Sequence, residues 1–451
     1  MSTASLPSYI APLQPSYSRA PSYSVQPGLF EQRLALNART LPRPTGNFVK
    51  SSKGGDAKLR LSAQQDEIDL PVYGAGGVVE GTVELAKTDN ISTVEVEVEG
   101  RLQLKEIAEG GHTDARICLD NVLLWIKDAN NPVCPSSLPF SLTLPTTFEY
   151  EGKSYPLPPS HSIKLKGLPG FHASIEYSVS VIIDKPRYVP NLVPLLKSKK
   201  IMVNNKKLGI HIGNTTLSTP FIYYPRTRPA VPIPSPLVRA EGGFISRPEW
   251  SLYDSVLNAN NSKAGAQDIR VKFYLPASRI FCASGKIPFH VTFESTAYSL
   301  ALFLPYGPTT GNSGKLRATR IQLMRQSTVD VRGTVIYGTK TDIWRVDPIG
   351  EGVFKHAGDG PTWISFSGEI EISPVKVMGF KIAGLNVQDC ILFTVTPPDV
   401  SKSPFTNIRE TIPVRLTTDP WTEDGRGIAA RPSLSVPPSP EDSLHDMTHA
   451  L

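Results

Sequence analysis

A chain of 451 residues with 40% hydrophobic and 20% charged residues carries enough apolar material for more than one core, which excludes a wholly disordered protein. Its 42 prolines and 34 glycines argue against a helical fold and suit many short strands joined by turns, while a net charge of +6, spread widely, offers nucleic acid no concentrated basic face. The longest apolar run, Leu300 to Leu304 with its neighbours, falls far short of the roughly 20 residues that a spanning helix needs.

Residues 1–62 are rich in Pro, Ser, Arg and Gly without a sustained period, and are expected to form a disordered arm because they cannot bury enough surface to offset ordering entropy. The first residues lack the charged start and apolar run of a secretory leader. Pro-Ser-Tyr occurs at Pro7 to Tyr9, Pro15 to Tyr17 and Pro21 to Tyr23, and Leu6 precedes the first copy. Proline-rich segments are pre-ordered as a polyproline helix and so lose little entropy on docking into the aromatic groove of a WW domain. Such domains read Pro-Pro-x-Tyr and tolerate Leu-Pro-x-Tyr, which makes Leu6, Pro7, Tyr9, Pro15, Tyr17, Pro21 and Tyr23 the candidate WW-binding residues. The alternative is a low-complexity linker in which these residues recur by composition. Leu70-Pro71-Val72-Tyr73 also fits, but at the start of an expected core strand, where it is unavailable.

Strand signals are dense from residue 63 to 228. Val78, Val79, Val83 and Leu85 surround Gly81, and after the turn-like Thr88-Asp89-Asn90, Val94, Val96 and Val98 alternate with Glu95, Glu97 and Glu99. Successive side chains of a strand point to opposite faces, so this pattern predicts one apolar and one wet face. Ile117 to Ile126, with Trp125, reads as a buried run, and Leu138 to Pro145 as a short strand. Ile175, Tyr177, Val179, Val181 and Ile183 share one face against Ser174, Glu176, Ser178 and Ser180.

The order of Tyr73, a Gly-rich turn at Gly74 to Gly77, Gly81, Val83, Leu85 and Gly100 resembles the opening of the arrestin N-terminal domain, although that family has Pro-Gly and an acidic residue after the tyrosine. Further on, Pro139-Phe140, Leu157 to Ser160, and Gly170 with Tyr177 resemble the later part of the same domain. The resemblance, to fungal-type α-arrestins, implies an all-β protein: two arrestin-like antiparallel β-sandwich domains, over residues 63–228 and 237–418, flanked by disordered tails. Residues 229–236, within a proline-rich stretch, read as a stiff linker, and residues 419–451 as a disordered tail. In the second half, Ile287, Phe289, Val291 and Phe293 alternate with polar or small partners, and strands are expected at 318–325, 328–338, 362–372, 390–396 and 411–416.

Between Lys185 and Ala240 stand ten Lys or Arg residues and no Asp or Glu. Lys197, Lys199, Lys200, Lys206 and Lys207 are the candidates there for binding anionic lipid or phosphorylated tails, against a generic solvated face and, less favoured, nucleic acid. The scattered Cys118, Cys134, Cys282 and Cys390 show no metal-ligand spacing and read as buried reduced thiols. Thr309 to Leu316 falls short of a phosphate loop and reads as a hairpin tip; His445 and His449, four apart, read as solvated. Neither a catalytic constellation nor a cofactor or metal site is found, and the chain is read as no enzyme. Ser403-Pro404 and Ser439-Pro440 are candidate phosphosites.

What the resemblance implies is a non-catalytic cytosolic trafficking adaptor, peripheral at the plasma membrane or endosomes. It would link the cytosolic tails of membrane transporters or receptors to the WW domains of a HECT ubiquitin ligase for ubiquitin-dependent endocytosis, with an anionic membrane surface as a further partner. Its rival is an arrestin-fold scaffold of endosomal sorting or signalling that recruits no ligase.

Overall fold

The computed structural model describes residues 31–34, 45–65, 68–107, 111–168, 170–185, 215–260, 265–308, 317–330, 343–397, 399 and 403–423. The protein is nearly all β, as its period-2 patterning predicts, and its sheets form two lobes. In the first lobe a four-stranded sheet runs Gly46–Ser51, Ala57–Gln64, Val78–Leu85, Ser137–Thr143. Facing it, a six-stranded sheet runs Val72–Tyr73, Thr215–Tyr223, Phe171–Asp184, Thr93–Glu106, His112–Ile126, with His161–Leu165 extending the flank of Phe171–Asp184. Between them lies the core that the alternation announced: Val94, Val96, Val98, Ile175, Tyr177, Val179, Val181 and Ile183 are all buried. Burying a side chain of this kind contributes about 1.5–3 kcal/mol.

The second lobe is built differently. One ten-stranded sheet, curled into a half-barrel, begins at Trp250–Leu257, passes through Ile269–Pro276, Lys286–Glu294, Trp363–Ile372, Ile343–Gly360, Thr319–Val329, Leu385–Val395 and Ile408–Thr417, and ends at Ile280–Cys282. Phe380–Ile382 pairs with Leu385–Val395 off that path. Phe273, Phe289, Phe293, Phe303, Phe393 and Phe405 fill the interior. A short helix, Ala297–Phe303, closes over them, and Thr296 Oγ1 caps it by accepting a hydrogen bond from the Ser299 N–H at 3.2 Å.

Several expectations need correction. The arm read as structureless through residue 62 contains the strands Glu31–Leu34, Gly46–Ser51 and most of Ala57–Gln64, and Leu59 and Leu61 are fully buried. Only Ala57, Leu59 and Leu61 alternate with Lys58 and Arg60 there, too short a signal to stand out beside the Pro- and Ser-rich sequence upstream. The run from Ile117 to Ile126 is not uniformly buried: Leu119, Leu123 and Ile126 stand opposite Glu99, Glu95 and Thr93 on the outer face, while register shifts near Ile117 and Leu124 leave Ile117 and Trp125 pointing in. Ser403 is fully buried and thus closed to a kinase. Cys118, Cys134 and Cys282 are buried free thiols, whereas Cys390 is half-buried. Tyr73 is buried against Phe221, which keeps Leu70-Pro71-Val72-Tyr73 inside the fold. The greater part of the strand expected at 328–338, the Thr309 to Leu316 loop, and the tail from residue 424 on lie outside the described residues.

Candidate functional site

Three stretches far apart in sequence meet where the lobes join. After Tyr223 the chain turns into the strand Arg226–Pro229, which pairs antiparallel with Glu31–Leu34. Arg226 and Arg228 lie two residues apart, hence on one face of this strand, and both are buried. A buried guanidinium requires a partner, and each finds one from the end of the second lobe. The Arg226 Nε donates to Asp419 Oδ2 at 2.9 Å, and its second nitrogen meets the other carboxylate oxygen. Arg228 donates to Gln32 Oε1 at 2.7 Å and to Thr422 Oγ1 at 2.5 Å.

Backbone contacts tighten the same clasp. The Thr227 N–H donates to Thr418 Oγ1 at 2.9 Å, and the Asp419 N–H donates to the Thr227 carbonyl at 2.9 Å. Arg415, on the last strand, reaches Glu31 at 2.8 Å, and the Glu31 side chain is 1% exposed. Removing one partner of such a buried pair typically costs about 3–5 kcal/mol, because the other charge is left buried and uncompensated.

A second set of contacts lies beside the clasp. Arg325 grips Asp389 with two parallel hydrogen bonds of 2.7 and 2.9 Å and donates a third, at 2.7 Å, to the Val377 carbonyl. Phe380 from the second lobe packs edge-on against His161 of the first, ring centres 5.4 Å apart. Burial, with Arg325 nearby, pushes the His161 imidazole down to about 4. Val377, Phe380, Ile382, Leu385 and Val387 join the apolar core of the first lobe, so the junction is greasy as well as charged. A cleft opens between Leu157, Pro158 and Tyr223 on one side and Val377 and Phe380 on the other, with Arg226 at its wall.

Chemically, this arrangement holds and positions. Among the described residues no group of three His, Cys, Asp or Glu side chains is placed to bind a metal ion. Burial raises the Cys118 and Cys390 thiols to about 11, so both are protonated at neutral pH and poor nucleophiles. Among the described residues, no helix is long and apolar enough to cross a membrane.

Leu6, Pro7, Tyr9, Pro15, Tyr17, Pro21 and Tyr23 lie outside the described residues, as do Lys197, Lys199, Lys200, Lys206 and Lys207. What sequence reasoning missed is the clasp itself. Arg226, Thr227 and Arg228 between two prolines carry a strand's alternation, but the prolines made them read as part of an extended connection. The acid-free stretch held the stronger hint: any buried arginine within it must draw its carboxylate from elsewhere in the chain, and Arg226 draws on Asp419. Beyond it, Val231 to Pro236 form no strand or helix and are largely exposed, until Leu237 is buried and donates its N–H to His290 Nε2 at 3.2 Å.

Compared with models of protein families and with curated proteins, the chain matches none.

Proposed function

We propose that this chain is a non-catalytic adaptor of the α-arrestin type, linking the cytosolic tails of membrane transporters or receptors to a HECT ubiquitin ligase at the plasma membrane or endosomes. The reading rests on the ordered sequence likeness over the first lobe, on a two-lobed all-β architecture that accommodates it, and on the Pro-Ser-Tyr copies. The observation that carries it is where the N-terminal segment is fastened. Glu31–Leu34 is held at the lobe junction, and Tyr23, the last of the repeated tyrosines, precedes Glu31 by eight residues.

A tether has two consequences. At about 3.3–3.6 Å per extended residue, Tyr23 can stand no more than roughly 29 Å from Glu31, and Tyr9 no more than roughly 80 Å. A WW-bearing ligase held by the arm is therefore confined near the junction and near any tail bound by the lobes. Confinement raises its effective concentration at cargo lysines without any chemistry by the adaptor. Affinity purification of the full chain beside one lacking residues 1–30 tests the reading. Loss of a HECT ligase from the shortened chain is the expected outcome, and equal recovery of ligase, or none from either, contradicts it.

A further inference from the structure

At one end of the six-stranded sheet, pairing places four cation-forming side chains in a single transverse row. Lys164 stands opposite His172, His172 opposite Lys105, and Lys105 opposite His112, on four successive strands. Directly opposed residues share a face of the sheet. The buried neighbours Leu104 and Ala173 occupy the inner face, so the row lies on the outer one. Lys105, Lys164 and His112 are exposed and His172 is half-buried. With strands about 4.8 Å apart, the row spans roughly 14 Å.

Like charges placed directly opposite each other destabilise a sheet, and where Arg101 stands opposite Arg116 on this face the chain offsets it with carboxylates. Arg101 and Arg116 both donate to Glu99 at 2.9 Å, and Arg101 lies 3.7 Å from Asp114. At the end row, no carboxylate among the described residues pairs with Lys105 or Lys164. Glu106, the nearest in sequence, is buried on the opposite face. Among the described residues, the row lacks the counter-charge that the neighbouring arginines have.

Two apolar side chains project beside it. Leu168 is 78% exposed in the turn between the strands carrying Lys164 and His172, and Ile107 is 41% exposed just beyond Lys105. The two turns are joined, because the Ile107 N–H donates to the Gly170 carbonyl at 2.8 Å. Lys166, exposed in the same turn as Leu168, adds another cation.

We infer that this end of the sheet is a docking surface for an anionic bilayer, with Lys105, Lys164 and Lys166 against lipid phosphates and Leu168 and Ile107 entering the headgroup boundary. The projecting leucine and isoleucine favour a bilayer over a phosphorylated peptide, since a peptide phosphate satisfies the cations but leaves both side chains in water. The inference stands on strand register and exposure, and is independent of the adaptor reading and of Lys197 to Lys207.

Sedimentation of the full chain with vesicles of phosphatidylcholine alone, or mixed with phosphatidylserine, tests it. Binding to the mixed vesicles only is expected, and the Lys105→Gln, Lys164→Gln double variant should weaken it about 30-fold, at about 1 kcal/mol per lysine. Leu168→Ser should weaken it about fivefold, for the apolar contact it withdraws from the boundary. The charge-retaining Lys105→Arg, Lys164→Arg pair should bind like wild type, as should Lys58→Gln, Lys153→Gln on other strands; circular dichroism checks that each variant is folded. Equal sedimentation with both vesicle types, or wild-type binding by the folded glutamine double variant, overturns the proposal. So does binding of a phosphoserine peptide that depends on Lys105 and Lys164 in a protein that ignores vesicles, which would make the occupant a phosphorylated tail.

Discussion

The two lobes solve the same packing problem with different side chains. In the first, two sheets close over valine, leucine and isoleucine, with Tyr177 at the centre; in the second, a single curled sheet wraps a cluster of phenylalanines. Both nonetheless share one device, a large ring laid across a glycine on the neighbouring strand. Tyr177 stands directly opposite Gly100, where an added Cβ would fall 2.6 Å from the ring, and Phe289 directly opposite Gly368, where it would fall 2.3 Å from the ring. The difference lies at the ring's far end. Tyr177 carries a hydroxyl that must be satisfied in the core and donates it to the Pro158 carbonyl at 2.6 Å; Phe289 carries nothing and meets Phe273 and Phe354. At this ring-on-glycine contact, one lobe thus adds a polar anchor to apolar contact, whereas the other relies on shape.

Removing the ring from the second lobe should have the largest effect. Phe289→Ala is expected to cost about 4 kcal/mol, since a cavity at the middle of a phenylalanine cluster cannot collapse without moving several rings. Filling the glycine site in the first lobe with Gly100→Val should cost about 3 kcal/mol, because neither the Tyr177 ring nor the Cys118 side chain has room to yield. Both are read from urea unfolding midpoints at pH 7.5, and a cost below 1 kcal/mol for either would mean that the ring and glycine are not coupled.

Acidification separates the lobes in another way. Burial lowers the imidazoles of His161, at the junction, and His290, in the second lobe, to about 4; Arg325 adds to this for His161 and Arg239 for His290. A histidine whose folded-state value lies below its unfolded one stabilises the fold fully at neutral pH, and that contribution is lost as pH falls from about 6.5 toward 4. Each should withdraw about 2 kcal/mol between pH 7.5 and pH 5. His290 Nε2 accepts the Leu237 N–H, whereas His161 Nε2 has no hydrogen-bond partner. His161→Leu should therefore cost little at pH 7.5 and flatten the pH dependence of Tm, while His290→Leu flattens it but also loses about 1 kcal/mol at neutral pH. An unchanged Tm profile in both variants would place the acid sensitivity elsewhere. Tyr177→Phe should cost about 1–2 kcal/mol in the same urea midpoints, for leaving the Pro158 carbonyl without its donor.

How far sequence alone reached follows from the same physics. Where apolar residues hold one face and polar ones the other, as from Ile175 to Ile183 and from Ile287 to Phe293, alternation displayed the apolar core residue by residue, although His290 and Thr292 on the second face are buried too. It failed where a strand is irregular or marginal. Ile343–Gly360 is the longest strand described, yet its register shifts twice, and Pro348 and four glycines break its alternation, so period 2 never accumulates over enough residues. The clasp was invisible for another reason: nothing local in the Arg226–Arg228 segment says that its carboxylate lies nearly two hundred residues away at Asp419. The WW-binding and lysine candidates remain motif-level assignments, because their residues lie outside those the structure describes.

The most direct test of the adaptor reading is calorimetry of the full chain against a tandem WW fragment. Only the first Pro-Ser-Tyr copy has the favoured leading residue, Leu6, so Tyr9 is expected to be the main anchor, with Tyr17 or Tyr23 adding avidity through the tether. Saturable binding that Tyr9→Ala weakens more than Tyr17→Ala or Tyr23→Ala is the predicted result. Absence of binding heat and saturation in the wild type, or equal losses from all three tyrosines, would contradict it.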